Sequence, residues 1–265
     1  MTERSIVDTL GAYKESILNP LYGRLAELRG DVVTYHGVTL NLEPPVVTRR
    51  IRASIARNHY EIGEKTLLDT YLDPSTPLVE LGGGLGFIAA YTDRLLDPGT
   101  THVVVEANDR LIPVLEETSR RNDAEYEIVH AAYAPGRSTA TLFTHTHFWS
   151  NSTRSSAEEG VEVPATSLRD LVDEFGLDEF ALVVDIEGAE IDLLDELQLV
   201  EARCSLVILE LHDTKSEHTE LADDIAALRE RLDASSLELA EADETKRVYR
   251  RGHEARRAND EAGAP

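Results

Sequence analysis

The residues most able to do chemistry begin with Glu80-Leu-Gly-Gly-Gly-Leu-Gly86, set between an apolar strand-like run at 77–81 and a helix-like run at 87–96. A glycine-rich turn in that context brings backbone close to a ligand, with helix N–H groups pointing at it. Gly82, Gly84 and Gly86 are therefore candidate cofactor contacts. A second strand-like run at 101–106 ends on Glu106, 20 residues beyond Gly86 (106 − 86). At that spacing an acid reaches the ribose hydroxyls of an adenosine-type cofactor. Two departures from the dinucleotide pattern say which nucleoside. Phe87 stands where the third glycine belongs, and Glu80 precedes the turn. A carboxylate there would repel a pyrophosphate and favour an ammonium and a sulfonium, the charges of S-adenosylmethionine. The plainer alternative is a solvated strand-end acid beside a tight turn.

A second constellation lies at Leu182-Val-Val-Asp-Ile-Glu-Gly-Ala-Glu190, an apolar run ending in Asp185, Glu187 and Glu190 around Gly188. The next apolar run ends in Glu210-Leu-His212. In a doubly wound sheet ligands bind at the carboxyl ends of strands, so these groups should face the crevice of the glycine turn. Acids beside a histidine can serve as general base or orienting groups, which makes Asp185, Glu187 and His212 the catalytic candidates. Helix caps and solvated loop acids are the competing account. His145 and His147 would form a metal pair on one strand face, but no third ligand has a supporting spacing, and no metal is expected.

The elements that must position these groups alternate from residue 77 onward, with strands expected at 77–82, 101–107, 126–133, 180–186 and 204–211. That alternation predicts an α/β, doubly wound, mainly parallel sheet. Residues 1–75 read as an N-terminal cap: a helix over 5–29 broken near Asn19-Pro20, a hairpin over 31–42 turning at His36-Gly37, and a mostly helical stretch over 48–71 with Glu61-Ile-Gly-Glu64 in its middle. The main domain spans 76–252. Within it, 140–147 alternates, 149–156 reads as a polar loop over the site, and Leu221, Ile225, Leu228 and Leu232 recur at helical spacing. A closing antiparallel pair is expected at 237–242 and 246–251, and a charged, disordered tail at 253–265.

Composition bounds the partners. The chain has 265 residues and a formal net charge of -24, from 50 Asp+Glu against 26 Lys+Arg. Its only lysines are Lys14, Lys65, Lys215 and Lys246. That balance resembles the surface of a salt-accumulating halophile of the haloarchaeal kind, in which concentrated salt screens acid–acid repulsion. It argues against nucleic acid, since no basic stripe is present to displace counterions. The lone Cys204 sits in an apolar run and reads as a packed strand residue. The N-terminus lacks an apolar signal core and no stretch is long enough for a membrane span, so a cytoplasmic protein is expected.

On these residues the chain resembles the FkbM family of S-adenosylmethionine-dependent methyltransferases, from about residue 59 to 212. The resemblance rests on His59-Tyr-Glu61, Val79 to Gly86, Val105-Glu-Ala-Asn108, Ala131-Ala132, Val184-Asp-Ile-Glu-Gly-Ala-Glu190 and Leu209-Glu-Leu-His212. Val184 and Glu80 stand where that family usually has a lysine and an aspartate. The resemblance implies a seven-stranded Rossmann-like methyltransferase sheet, S-adenosylmethionine as cofactor, and Tyr60, Glu61 and Ala132 among the contacts. It also implies O-methylation of a small-molecule or glycan acceptor, such as a sugar of a glycan precursor. A hydroxyl acceptor needs a base as its proton leaves, whereas a carboxylate acceptor needs none. Two other classes stay in view: an NAD-dependent oxidoreductase or epimerase, against which Phe87 and Glu80 argue, and a non-catalytic cofactor-binding scaffold.

Overall fold

The computed structural model of the chain describes residues 30–143, 160–186, 188–212 and 219–252. The helix expected at 5–29, His145, His147, the 149–156 segment, Glu187 and the tail lie outside the described residues. From the N-terminal side, β1 (Val32–Tyr35) and β2 (Val38–Asn41) are followed by α1 (Arg49–Ala56) and α2 (Ile62–Tyr71). Then come β3 (Leu78–Leu81), α3 (Phe87–Asp93), β4 (His102–Glu106), α4 (Ile112–Asn122), β5 (Glu127–His130) and β6 (Ala132–Tyr133). The chain continues through β7 (Thr139–Phe143), β8 (Gly160–Thr166), α5 (Leu168–Phe175) and β9 (Phe180–Val184). A 3₁₀ segment (Glu190–Glu196), α6 (Leu197–Arg203), β10 (Cys204–Glu210), α7 (Thr219–Asp233), β11 (Leu237–Ala242) and β12 (Lys246–Arg251) complete it.

Seven strands form the main sheet in the order β11-β12-β10-β9-β3-β4-β5. The neighbours from β10 to β5 pair in parallel, and β12 runs antiparallel to both β10 and β11. The chain winds outward from β3 to β5, then returns to the other side of β3 with β9. That reversal leaves a crevice at the carboxyl ends of β3 and β9. Both strands are buried along their whole length, so β9 reads as a continuous apolar run and β3 as one interrupted only by Glu80.

Each face of the sheet carries its own core. On one face Leu78, Val104, Val183 and Ile208 pack with Phe87 of α3, Leu115 of α4 and the hairpin residues Tyr35, Leu40 and Leu42. On the other, Val79, Leu81, Val105, Val184 and Leu209 pack with Leu168 and Leu171 of α5 and with Ile225, Leu228 and Leu232 of α7. The last three are the apolar stripe expected for that helix. Cys204 is fully buried in the same core, which raises its thiol pKa and leaves it a packing residue.

Three expectations are corrected. The single strand expected at 126–133 is two, because Ala131 donates to Glu106 O (3.1 Å) and the chain then leaves the main sheet. Past that point β6 pairs in parallel with β8, which pairs antiparallel with β7 in a separate three-stranded sheet. The strand β8 was not anticipated: most of it is exposed and it contains Pro164, so its period is weak. The helix expected over 48–71 is broken into α1 and α2, with Asn58 (φ 62°) and Glu61 (φ 48°) in the left-handed region. The break itself, 57–61, contains no Gly or Pro, and the only local sign is Gly63 just beyond it.

The hairpin holds the break in place. His36 (φ 46°) and Gly37 (φ 85°) both take the left-handed conformation that a two-residue hairpin turn of this hand needs. The Tyr35 hydroxyl donates to Tyr60 O (2.9 Å), and its ring packs on Phe87 with centroids 4.7 Å apart. Phe87, which excluded the dinucleotide pattern in the sequence, is thus the floor under the Tyr60–Glu61 turn.

Candidate active site

A cavity of about 330 Å³ opens at the carboxyl ends of β3, β4, β9 and β10. Tyr60, Glu61, Gly82, Gly84, Glu106, Ala132, Asp185 and His212 all line it. These residues come from six separate stretches of chain, and the reversal between β3 and β9 brings them together. Glu80 and Gly86 do not line it.

Gly82 is where β3 passes closest to the chain leaving β9. It has φ 98°, and a Cβ there would lie 1.9 Å from the carbonyl oxygen of Asp185. Its N–H donates to Val105 O (2.9 Å), while Asp185 N–H donates to Leu81 O (2.9 Å). Only glycine permits this approach. Gly84, at φ 52°, differs: a Cβ there would project towards Glu61 Oε1 and the Tyr60 hydroxyl, 3.5 Å from each. The missing side chain leaves a cradle inside the cavity wall. Gly86 is instead a packing position, where a Cβ would meet the Tyr126 hydroxyl at 3.0 Å and Leu115 at 3.1 Å.

Glu106 closes the cradle from β4. Its Oε2 accepts from Gly84 N–H (3.0 Å) and its Oε1 from Asn108 N–H (2.8 Å). Burial pushes this carboxyl up to about 6, against the backbone N–H groups that hold it down. Glu61 and Tyr60 face each other across the turn. Burial drives both well above their ordinary values, and the charges of Asp185, Glu64 and Glu80 add to the shift at Glu61.

The second constellation converges on His212. Its Nδ1 lies 2.6 Å from Glu190 Oε1 and its Nε2 3.4 Å from Asp185 Oδ1. Burial pushes Asp185 up to about 6, the charge of His212 opposing and those of Glu64 and Glu190 adding. Glu190, which the sequence left open as a cap or solvated acid, is fully buried. Next to it, Lys246 Nζ bridges Glu64 Oε1 (2.8 Å) and Glu210 Oε1 (2.9 Å). Asp185, Glu210 and His212 place one donor atom each within 4.8 Å of the others. The Lys246 ammonium supplies the positive charge that this acidic pocket needs. Sequence reasoning missed Lys246, because its partners Glu64 and Glu210 are far away in the chain. It also missed Arg50 and Ser54, which α1 contributes to the cavity wall without any motif around them.

Glu80 corrects the sequence argument. It is 2% exposed on the buried face of β3, with Oε2 3.5 Å from His102 Nε2. Burial drives its carboxyl well above the usual range, with the charges of Asp185 and Glu106 adding, and pushes His102 down to about 4. Burial disfavours charge on both, and Glu80 lies outside the cavity rather than facing a ligand. A carboxyl whose pKa is raised on folding stabilises fully below its unfolded value, and that contribution is lost as pH rises towards the folded value. His102, with a depressed pKa, contributes stability that is lost as pH falls through about 6.5 towards 4. Above pH 6.5 only the acids matter. The melting temperature in molar KCl should therefore fall between pH 6.5 and 8.5, and Glu80→Gln should flatten the fall. An unchanged slope in that variant would mean Glu80 is ionised in the folded protein.

The chain matches no curated protein. Several solved structures are similar to it in outline. A putative rRNA methylase from Clostridium thermocellum gives a TM-score of 0.47 at 8% identity, over 71% of this chain and 93% of that one. A putative O-methyltransferase from Klebsiella pneumoniae gives 0.46 at 11% identity, over 73% and 81%. The O-methyltransferase TomG from Streptomyces achromogenes, solved with SAM, gives 0.44 at 13% identity, over 72% and 80%. The model of the methyltransferase FkbM domain matches residues 80–234. That stretch is more than half of the 265 residues and runs from the glycine turn past His212, so the chain belongs to the FkbM methyltransferase domain family.

Proposed function

We propose that this protein is an S-adenosylmethionine-dependent O-methyltransferase whose acceptor is a sugar hydroxyl of a glycan or glycan precursor. The observation that carries the reading is the single cavity that joins the glycine cradle and Glu106 to His212 and Asp185. When bound, S-adenosylmethionine supplies a methyl group on a sulfonium. Gly84 leaves the room for it, Glu106 offers acceptor oxygens to ribose hydroxyls, and Tyr60 and Glu61 close the opposite wall. Glu106 and Asp185, pushed up only to about 6, make the cavity acidic at neutral pH, which favours a cationic cofactor over a pyrophosphate.

The chain's own chemistry is positioning and proton removal. His212 Nε2 takes the proton of the acceptor hydroxyl as the oxygen gains the methyl, and Asp185 beside it stabilises the imidazolium that forms. Carboxylates, Asn108 and Ser54 in the wall suit an acceptor rich in hydroxyls. The charge of -24 speaks against a nucleic-acid acceptor. It also fits a surface adapted to concentrated salt, for which a melting temperature that climbs from low to molar KCl is the check. No helix among the described residues is long and apolar enough to cross a membrane. We place the enzyme in the cytoplasm, a setting that suits a single unpaired cysteine. Residues 30–75 act as the cap that carries Tyr60 and Glu61.

Calorimetry in molar KCl tests the cofactor. S-adenosylhomocysteine should bind, with NAD and NADP far weaker, and Gly84→Val should abolish the heat by filling the cradle from a strained φ. Tight NAD binding without S-adenosylhomocysteine binding would overturn the reading. Loss or gain of a methyl mass on surface glycans, with and without the protein, tests the acceptor.

A further inference from the structure

We infer that Lys246 is a positioning residue for the cofactor wall: its ammonium, set between Glu64 of α2 and Glu210 of β10, draws the cap onto the strand ends and fixes Tyr60 and Glu61 opposite the glycine cradle. This rests on the reading of the cavity as the S-adenosylmethionine site. Lys246 opens β12, directly across from Glu210 in the antiparallel pair with β10. Its N–H donates to Asp243 Oδ1 (2.6 Å) and its carbonyl accepts from Asp243 N–H (2.9 Å), so the turn holds the backbone that carries it. From there the side chain reaches Glu64 Oε1 at 2.8 Å and Glu210 Oε1 at 2.9 Å. Burial works against the ammonium, yet the two carboxyl groups raise its pKa above the usual lysine value and keep it charged.

Gly63 marks the crossing. It is a poor helix former placed in the first turn of α2, and a Cβ there would meet Lys246 Cε at 2.7 Å and Cδ at 3.2 Å. The lysine stem therefore lies against the helix backbone between Glu61 and Glu64. Glu61 is the N-cap of α2, with Tyr60 just before it, so a grip on this first turn is a grip on the cofactor wall. That wall stands at contact distance from the cradle, since a Cβ at Gly84 would lie 3.5 Å from Glu61 Oε1 and from the Tyr60 hydroxyl. The Tyr35 hydroxyl holds Tyr60 O from the hairpin side, and Lys246 supplies a second anchor from the sheet. Burial lifts the Glu64 carboxyl to about 7, with Glu210 adding and Lys246 opposing. Without the ammonium, Glu64 would be buried against a second carboxyl with no cation between them, which favours parting of the seam.

The test is calorimetry of S-adenosylhomocysteine binding to the full chain in molar KCl at pH 8, above the raised Glu64 value. Lys246→Met, which keeps an apolar stem and removes the charge, should weaken binding by about tenfold, within the range usual for coupling between sites. Hydrogen exchange should quicken in peptides covering residues 57–68 and stay unchanged in those covering β3 and β9, because the seam loosens while the sheet stands. The charge can then be put back. Lys246→Cys treated with 2-bromoethylamine carries an ammonium on a stem of lysine length and should regain near-wild-type affinity and exchange. The same variant capped with iodoacetamide should not. Cys204 is fully buried, and wild type treated in parallel accounts for it. If Lys246→Met does not fold, Glu64→Gln breaks the clamp from the cap's side, with the same loss expected. Full S-adenosylhomocysteine affinity in folded Lys246→Met, rescue by the neutral cap as well as by the amine, or exchange that rises uniformly across the sheet overturns the inference. A wild type that binds no S-adenosylhomocysteine sinks the cofactor reading instead, and exchange at 57–68 still decides whether Lys246 holds the cap.

Discussion

Gly82→Ala is expected to destabilise the protein by about 3–5 kcal/mol or more, the range of the most disruptive single substitutions. A Cβ at Gly82 lies 1.9 Å from a backbone carbonyl of Asp185, which cannot rotate away as a side chain would. The φ of 98° adds strain of its own. Relief requires β3 and the end of β9 to separate, and those strands hold the two halves of the site together through Asp185 N–H on Leu81 O. Denaturant unfolding of the variant, with S-adenosylhomocysteine binding in parallel, measures both losses. Gly84→Ala is the control, because its Cβ meets only side-chain oxygens at 3.5 Å, within ordinary contact. It should cost about 1–2 kcal/mol for the left-handed backbone and weaken cofactor binding. A Gly82 variant as stable as the Gly84 variant would show that the strands part freely, and the close approach would then have no structural role.

His212→Ala should lower kcat on a hydroxyl acceptor by ~10²–10⁴-fold, the usual contribution of a general base. Asp185→Asn should lower it less, since the amide keeps the volume but not the charge that stabilises an imidazolium 3.4 Å away. Cofactor affinity should change little in His212→Ala. A carboxylate acceptor forming a methyl ester would tolerate His212→Ala, because no proton has to leave. The variant therefore reports acceptor chemistry as well as mechanism. Wild-type rates in both variants, on the acceptor that glycan profiling identifies, would place the proton acceptor elsewhere in the cavity.

Glycine positions and strand-terminal acids were legible because their chemistry is local. A turn that passes against another backbone accepts only glycine, and an acid closing an apolar run has few places to sit in a wound sheet. For this reason Gly82, Gly84, Glu106, Asp185 and His212 could be assigned to one crevice from spacing alone, and the cavity holds all five. The hairpin at His36-Gly37 and the closing pair β11–β12 were legible for the same reason: a two-residue turn and alternating strands are encoded by neighbours.

Where a property depends on what packs against a residue, the sequence is silent. Glu80 precedes the glycine turn like a ligand-facing acid, yet burial beside His102 hides it and disfavours its charge. The break at Asn58–Glu61 carries no Gly or Pro; the hairpin's Tyr35, 25 positions from Tyr60, holds it open by a hydrogen bond. Lys246 joins Glu64, 182 residues away (246 − 64), to Glu210, 36 residues away (246 − 210), so no spacing could announce it. The α/β winding, the glycine turn and the acids at the strand ends are written in local order, because they follow from backbone sterics and periodicity over a few residues. Which acids are buried, which groups converge on His212 and which residues close the cavity's far wall follow from packing alone, because solvent exclusion and contacts between distant stretches of chain have no local signal.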